Sequence, residues 1–204
     1  MRVRLPRPPL AFMISTPETP ISFASEKEFT NWLKANYTLT EGIWLRYYKK
    51  STGIPSITYA QALDVALCYG WIDGQAKPFD GDSWLQRFTP RRAKSNWSKR
   101  NTEHVARLIE TKKMRKPGLL EIEKAKADGR WAKAYDSFSQ ATIPDDVMAM
   151  IKKNEQAHDF YKTLNKTNLY AIAYRIQTAV KPETREKRIK LILEMLSVGK
   201  KFHG

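Results

Sequence analysis

The stretch "WIDGQAKPFDGDSWLQRFTP", residues 71–90, decides the fold of the first half of the chain. Its two ends, "WIDGQAK" and "SWLQRFT", are rich in aromatic and branched residues, which favours β-strands. The turn-forming "PFDGD" between them predicts a β-hairpin, and Pro90 ends the second strand. A third strand is predicted for "GIWLRYYKK", residues 42–50. The sequence therefore predicts a small sheet of about three strands, antiparallel or mixed.

Helices are predicted before and between these strands in the sequence. Capping boxes begin at Ser25 and Thr58, and the helices that follow them end near residue 36 and at Gly70. From Ser95 onward, apolar residues recur at helical spacing and no convincing strand appears. We therefore predict an α+β fold in which helices cover one face of the sheet, followed by a C-terminal unit of several short helices.

The domain organisation is predicted from the same pattern. Residues 1–22 have a basic start, and Pro6, Pro8, Pro9 and Pro17 oppose a helix there, so we expect a disordered leader. We expect an α+β region at 23–94 and a helical region at 95–204. No apolar run reaches the roughly 20 residues that a transmembrane segment needs, and no secretory signal is recognised. The predicted location is the cytoplasm.

The charge balance is the first indication of function. The 204 residues carry 36 Lys and Arg against 21 Asp and Glu, a formal net charge of +15. Such a surplus favours polyanionic partners, which include nucleic acid, anionic lipid and small phosphorylated or carboxylated ligands. Cys68 is the one cysteine, and the three histidines lack metal-binding spacing, so we predict no disulfide, no metal site and no cofactor. We expect Cys68 to be a core residue with a raised pKa.

The densest positive charge lies in "FTPRRAKSNWSKRN", residues 88–101, which contains five cations and no acid. The stretch joins a predicted strand end to a helix N-terminus, where free backbone N–H groups also attract anions. Trp97 is suited to stacking on a base or to covering an apolar seam. A solvated loop that Trp97 anchors explains the pattern equally well, so both interpretations stay open.

Three functional hypotheses follow. The first is an anion- or nucleic-acid-binding surface, to which Asn101 adds a hydrogen-bonding group and whose main residues are Arg87, Arg91, Arg92, Lys94, Ser95, Trp97 and Lys99. The second is a site for one small anionic ligand, catalytic or not, between the sheet and the helical half, lined by Trp71, Asp73, Arg87 and Trp97. In the structural alternative to that site, Asp73 opens the turn at Gly74 or pairs with Arg87 to fix the hairpin register. The third is a protein-interaction adaptor that works through the helical unit.

Four motifs carry a family resemblance: "ALCYGWIDGQ", "RFTPRRAKSNWSKRN", "GLLEIEKAKADGRW" and "AVKPETREKRIKLILEMLSVGKK". In this order they resemble the YdeI/OmpD-associated family, also called bacteriocin-protection proteins. The resemblance extends from Trp32 to Lys201, and residues from about 143 to 204 are similar to the family's helical OmdA module.

The resemblance implies a role in tolerance of antimicrobial peptides or an association with an outer-membrane porin. It supplies no established catalytic residues, and we expect a non-enzymatic binding protein of the stress- or bacteriocin-tolerance type. The oligomeric state is not predicted. The residues that the resemblance places in the family signature are Trp71, Asp73, Gly74, Arg87, Pro90, Arg91, Arg92, Ser95, Trp97 and Asn101.

Overall fold

The computed structural model describes residues 19–203, which form three strands and eight α-helices. The α+β class and the C-terminal run of helices are therefore confirmed. None of the helices in this part of the chain is long and apolar enough to cross a membrane. The strands are β1 (Ile43–Tyr48), β2 (Trp71–Pro78) and β3 (Ser83–Pro90). The helices are α1 (Glu26–Asn36), α2 (Tyr59–Cys68), α3 (Lys99–Glu110), α4 (Lys116–Ala127), α5 (Asp145–Lys153), α6 (Glu155–Lys162), α7 (Lys166–Gln177) and α8 (Pro182–Ser197).

The sheet is antiparallel throughout, in the order β1-β3-β2. The hairpin predicted at residues 71–90 is β2 and β3, and its pairing shifts register between Asp73 and Ala76. Alternate residues of β1, beginning with Ile43, are buried. We call the side to which these residues point the inner face and the opposite side the outer face, because side chains alternate along a strand.

Helices α1 and α2 cover the inner face. The Ser25 hydroxyl accepts a hydrogen bond from the Glu28 N–H at the start of α1, and a complete capping box begins α2. Burial of aromatic side chains holds α1 on the sheet, because removing apolar area from water is the main stabilising force. Phe29 lies 5.9 Å from Phe88 between ring centres, and Trp32 meets Trp71 edge-on at 6.0 Å.

The described end of the predicted leader is paired with β1. Ile21 is buried, its N–H donates to the Trp44 carbonyl at 2.9 Å, and its own carbonyl accepts from the Arg46 N–H at 2.8 Å. The rest of the predicted leader lies outside the described residues. The predicted boundaries of the three regions stay a prediction.

The contacts divide the chain into two compact units, neither of them continuous in sequence. Among residues 19–203, the sheet unit comprises the chain up to Ala93 together with Val105–Glu121. The helical unit comprises Lys94–His104 and the chain from Ile122 onward. Helix α3 therefore begins in the helical unit and ends in the sheet unit.

Helices α5 to α8 share one hydrophobic core within the helical unit. The apolar stripes of the sequence supply it, with residues such as Ile151, Ile172 and Ile192 fully buried. Asn154 caps α6 by accepting a hydrogen bond from the Ala157 N–H. Such caps satisfy backbone donors that the first helical turn leaves unpaired.

Candidate functional site

Arg46 is held on the outer face by aromatic rings and by the hairpin turn. The carbon at the centre of its guanidinium lies 4.5 Å from the centre of the Tyr48 ring and 4.8 Å from that of Phe79. Its Nε donates to the Ser83 hydroxyl at 2.9 Å, and its Nη2 contacts Asp80 at 2.6 Å. A hydrogen bond from Ser83 is the main cause that lowers the pKa of Asp80. These contacts fix the guanidinium in place on the outer face.

A second group of cations surrounds Trp44. The Lys77 ammonium lies 4.3 Å from the centre of the indole ring, within the range of a cation–π interaction. The guanidinium of Arg87, which is opposite Trp44 in the strand register, lies 5.6 Å from the ring. One Arg87 nitrogen, Nη2, donates to the Glu41 carbonyl. Its other terminal nitrogen, Nη1, is buried and has no hydrogen-bond partner within residues 19–203.

Together these side chains form one patch that combines ring faces with positive charge. Leu85 lies at its centre and is only 2% exposed, because it stands opposite Arg46 on one side and Lys77 on the other. The patch members are exposed or half-buried, and Phe79 is 48% exposed. We call this patch the aromatic–basic surface; it consists of Trp44, Arg46, Tyr48, Lys77, Phe79 and Arg87.

The structure does not bring together the residues predicted to line a small-ligand site on the sheet. Trp71 is fully buried and donates its indole N–H to the Tyr37 carbonyl at 2.9 Å. Asp73 is opposite the buried Phe88, so it lies on the inner face, whereas Arg87 lies on the outer face. The two side chains therefore form neither the predicted register-fixing pair nor one shared pocket.

Asp73 belongs instead to a polar cluster on the inner face. Its carboxylate accepts a hydrogen bond from the Tyr59 hydroxyl at 2.8 Å. Burial, together with the charges of Tyr59 and Asp73, raises the pKa of the nearby Tyr47 far above its ordinary value. The Tyr47 ring stacks on Trp84 with the ring centres 4.3 Å apart. This cluster was not predicted, although the alternation along β1 indicates that Tyr47 points inward.

The arginines at the end of β3 differ in exposure. Arg91 is buried at 8% exposure, and its backbone N–H donates to the Gly70 carbonyl at 3.0 Å. Arg92 is exposed. The predicted surface treats the two as neighbours with the same function, but only Arg92 is open to a polymeric partner.

The remaining predicted residues lie in the helical unit, where Trp97 is a core side chain. It is 1% exposed and its ring lies 4.9 Å from that of Trp131. The Lys99 ammonium contacts Asp136 at 2.6 Å, and the Asn101 N–H donates to the Ser98 hydroxyl. Ser98 thus caps the start of α3. Lys94 is exposed.

Arg130 is a buried cation outside the predicted site residues. It is 7% exposed, and its Nε contacts both carboxylate oxygens of Asp128 at 2.8 and 2.9 Å. Its Nη1 donates to the Ser95 carbonyl at 2.6 Å. Its Nη2 has no hydrogen-bond partner in the described part of the chain. The sequence signal is weak, because "ADGR" at the end of a predicted helix is typical of an ordinary helix stop.

Cys68 has the environment expected of a core thiol. It is 6% exposed, and burial is the main cause that raises its pKa to about 11. The Asp64 carboxylate adds to the increase, and it is itself paired with Arg107 at 2.7 Å. A thiol with such a pKa stays protonated near neutral pH and is a poor nucleophile.

Comparison with known protein families gives two matches in separate parts of the chain. Residues 140–199 match the family described as bacteriocin-protection, YdeI or OmpD-associated. The chain carries the YdeI/OmdA family domain. Residues 21–121 match a second family, described as a domain of unknown function (DUF8412). The comparison with curated proteins and the comparison with solved structures give no match.

The YdeI/OmdA domain contains α5 to α8 and their shared core. It also contains an open groove of about 620 Å³ between α5 and α8. Met150 and Asn154 line one side of the groove, and α8 lines the other from Pro182 to Ser197. This groove was not predicted, although the adaptor hypothesis expects an exposed apolar patch in this part of the chain.

Proposed function

We propose that the chain is a non-enzymatic, cytoplasmic protein that binds single-stranded nucleic acid on the aromatic–basic surface of its sheet. The observation that carries this proposal is the placement of Lys77 and Arg87 against the Trp44 ring. Aromatic rings stack on unpaired bases, each worth about 1–3 kcal/mol, while Lys and Arg neutralise the phosphates between them. The same side chains thus offer both interactions that a single strand needs.

The shape of the surface favours a single strand over a duplex. The outer face is the surface of a three-stranded sheet, and a single strand can lie across such a surface with its bases on the exposed rings. The somewhat wider, four-stranded sheet platforms of RNA-binding domains stack about two or three bases. Phe79, which packs on the Arg46 guanidinium and is 48% exposed, adds a further ring on which a base can stack.

The proposal also connects with the family description. The YdeI/OmdA family is described as linked to bacteriocin protection or to OmpD. We place the chain among proteins of bacteriocin or stress tolerance, in which the sheet unit binds nucleic acid. The net charge of +15 supports an anionic partner.

Fluorescence anisotropy tests the proposal directly. The probes are a labelled single-stranded oligonucleotide of mixed sequence, as RNA and as DNA, and a duplex of the same length. We expect the single strand to bind more tightly than the duplex at low salt. Trp44→Ala and the double variant Arg46→Gln with Lys77→Gln should each weaken binding about tenfold, because each removes stacking area or phosphate contacts.

The matched control removes two charges from the helical unit. Lys152 and Lys153 are exposed on α5 and outside the aromatic–basic surface. The affinity of Lys152→Gln with Lys153→Gln for the single strand should lie within about twofold of that of the unaltered protein. This variant lowers only the net charge away from the surface, and salt screens that contribution. Circular dichroism confirms that each variant is folded. If no oligonucleotide binds at low salt, or Trp44→Ala binds normally, the proposal is wrong.

A small anion at Arg130 is the second candidate function. The buried, unpartnered Nη2 is the observation that favours it, because a guanidinium pairs readily with a phosphate or carboxylate. Thermal shift with inorganic phosphate, pyrophosphate and citrate tests it. If an anion raises the melting temperature of the unaltered protein but not that of Arg130→Lys, the result supports the site. If none of the three anions raises the melting temperature, they are excluded as ligands.

A further inference from the structure

The groove of the YdeI/OmdA domain runs along the whole of α8. Side chains three or four residues apart line it from Pro182 to Ser197, so one face of the helix is open over about 24 Å at 1.5 Å per residue. A groove of that length is long enough for a second helix of about four turns. Helix-in-groove docking uses such a stripe of residues with helical spacing.

The groove has an apolar floor and a charged rim. Ile189 and Leu193 form the floor and also pack in the core of the helical unit. Met150 on α5 forms part of the opposite wall and is 42% exposed. An apolar strip with a polar border is typical of a protein-interaction site.

The charges on the rim alternate in sign. Glu186, Lys190 and Glu194 follow one another at intervals of four residues along α8, and all three are exposed. None of the three makes an ion pair within 4 Å among residues 19–203. Arg185, by contrast, is already paired with Asp146 at 2.7 Å on α5. Three charges therefore remain available to a partner, in the order negative, positive, negative.

We propose that a second copy of the chain occupies this groove, with the two α8 helices antiparallel about a two-fold axis. In this arrangement Lys190 of each copy lies opposite Glu194 of the partner subunit, so the axis generates two identical ion pairs. A parallel arrangement in register places like charges opposite each other and is disfavoured. A partner helix that carries charges of one sign can pair with only some of the rim charges. An antiparallel copy of α8 instead offers a charge of opposite sign to both Lys190 and Glu194.

The proposed dimer also covers the apolar residues of the groove. The floor residues of each α8 meet those of the other copy, and Met150 packs against the partner's helix. Helices α5 and α8 of both copies then form a four-helix arrangement with a buried seam. This interface uses none of the aromatic–basic surface, so it stands or falls independently of the proposed nucleic-acid binding.

Charge reversal at the rim tests the proposal by sedimentation velocity over a hundredfold range of concentration. We expect the unaltered protein to form a reversible dimer. Lys190→Glu and Glu194→Lys should each weaken dimerisation at least tenfold, because each homodimer then has like charges at both ion-pair positions. An equimolar mixture of these two variants should form a heterodimer, since every pair in it is again of opposite sign.

Lys187→Glu is the matched control. Lys187 is exposed on α8, and its replacement by Glu makes the same change of charge as Lys190→Glu. Residue 187, however, does not line the groove. We expect it to dimerise like the unaltered protein, and circular dichroism verifies the folding of all variants. The proposal is overturned if the unaltered chain remains monomeric at every concentration, if Lys190→Glu dimerises normally, or if the mixture of variants remains monomeric.

Discussion

Lys77 reaches across β3 to place its ammonium 4.3 Å from the centre of the Trp44 ring. Trp44 lies on the edge strand β1 and Lys77 on the edge strand β2. The buried Leu85 lies on the central strand β3 between them. The aliphatic stem of the lysine therefore covers an apolar residue while its charge rests on an aromatic ring. This single contact joins all three strands into one surface.

Removal of the Lys77 charge should change the salt dependence of nucleic-acid binding. In Lys77→Gln we expect the slope of log affinity against log salt to become shallower by about 0.7, the value for one phosphate contact on a single strand. Anisotropy titrations at four or more salt concentrations measure the slope. The double variant Lys152→Gln with Lys153→Gln is the control, and its slope should equal that of the unaltered protein. An unchanged slope in Lys77→Gln would exclude this lysine from the interface.

Asp73→Asn separates the aromatic–basic surface from the inner-face cluster. The substitution weakens the hydrogen bond from the Tyr59 hydroxyl, so the free energy of unfolding should fall by about 1 kcal/mol. Oligonucleotide affinity should remain within twofold, because Asp73 points away from the outer face. Urea denaturation and anisotropy measure the two effects. Loss of affinity without loss of stability would instead assign Asp73 to the binding site.

Gly118→Ala should be strongly destabilising. A Cβ at residue 118 would lie 2.5 Å from the Cys68 carbonyl oxygen and 2.6 Å from that of Leu67, and these are backbone atoms at the end of α2. We expect the free energy of unfolding to decrease by about 1–3 kcal/mol, as for other overpacked sites. Gly81→Ala is the control because a Cβ there meets no atom within 4 Å. Equal urea midpoints for the two variants would contradict the close packing of α4 on α2.

The raised pKa of Cys68 should make stability depend on pH in the alkaline range. Folding raises this pKa from 9.0 to about 11, so the folded protein holds the thiol proton more tightly than the unfolded chain. The stabilisation is therefore complete below pH 9 and is lost as the pH rises towards 11. Urea denaturation between pH 8 and 11 should show a decline that is smaller in Cys68→Ala by about 2 kcal/mol. If the free energy of unfolding changes with pH in the same way in both proteins, the pKa of Cys68 is not raised by folding.

Local signals in the sequence predicted most of the fold. The hairpin at residues 71–90 and the caps at Ser25 and Thr58 depend on neighbouring residues alone, and the structure confirms them. The apolar stripes of the helical half likewise predicted helices, and the structure shows that α5 to α8 share one core. Which residues belong to which compact unit could not be predicted, because that depends on contacts between distant parts of the chain.

The candidate surface could be predicted only in part, for two physical reasons. Charge density drew attention to residues 88–101, but a run of charge does not reveal burial, and both Arg91 and Trp97 are buried. The aromatic–basic surface joins Trp44 to Lys77, and these residues become neighbours only through the strand order β1-β3-β2. Arg87 alone belongs to both the predicted site and this surface.

The interleaving of the two units has a consequence for inheritance. The chain passes from one unit to the other three times, after Ala93, after His104 and after Glu121. A single recombination point therefore leaves at least one of the units without a segment of its own chain. We therefore expect the segments of both units to be inherited together. Engineered chimaeras likewise need exchange points that lie before the sheet unit or after α8.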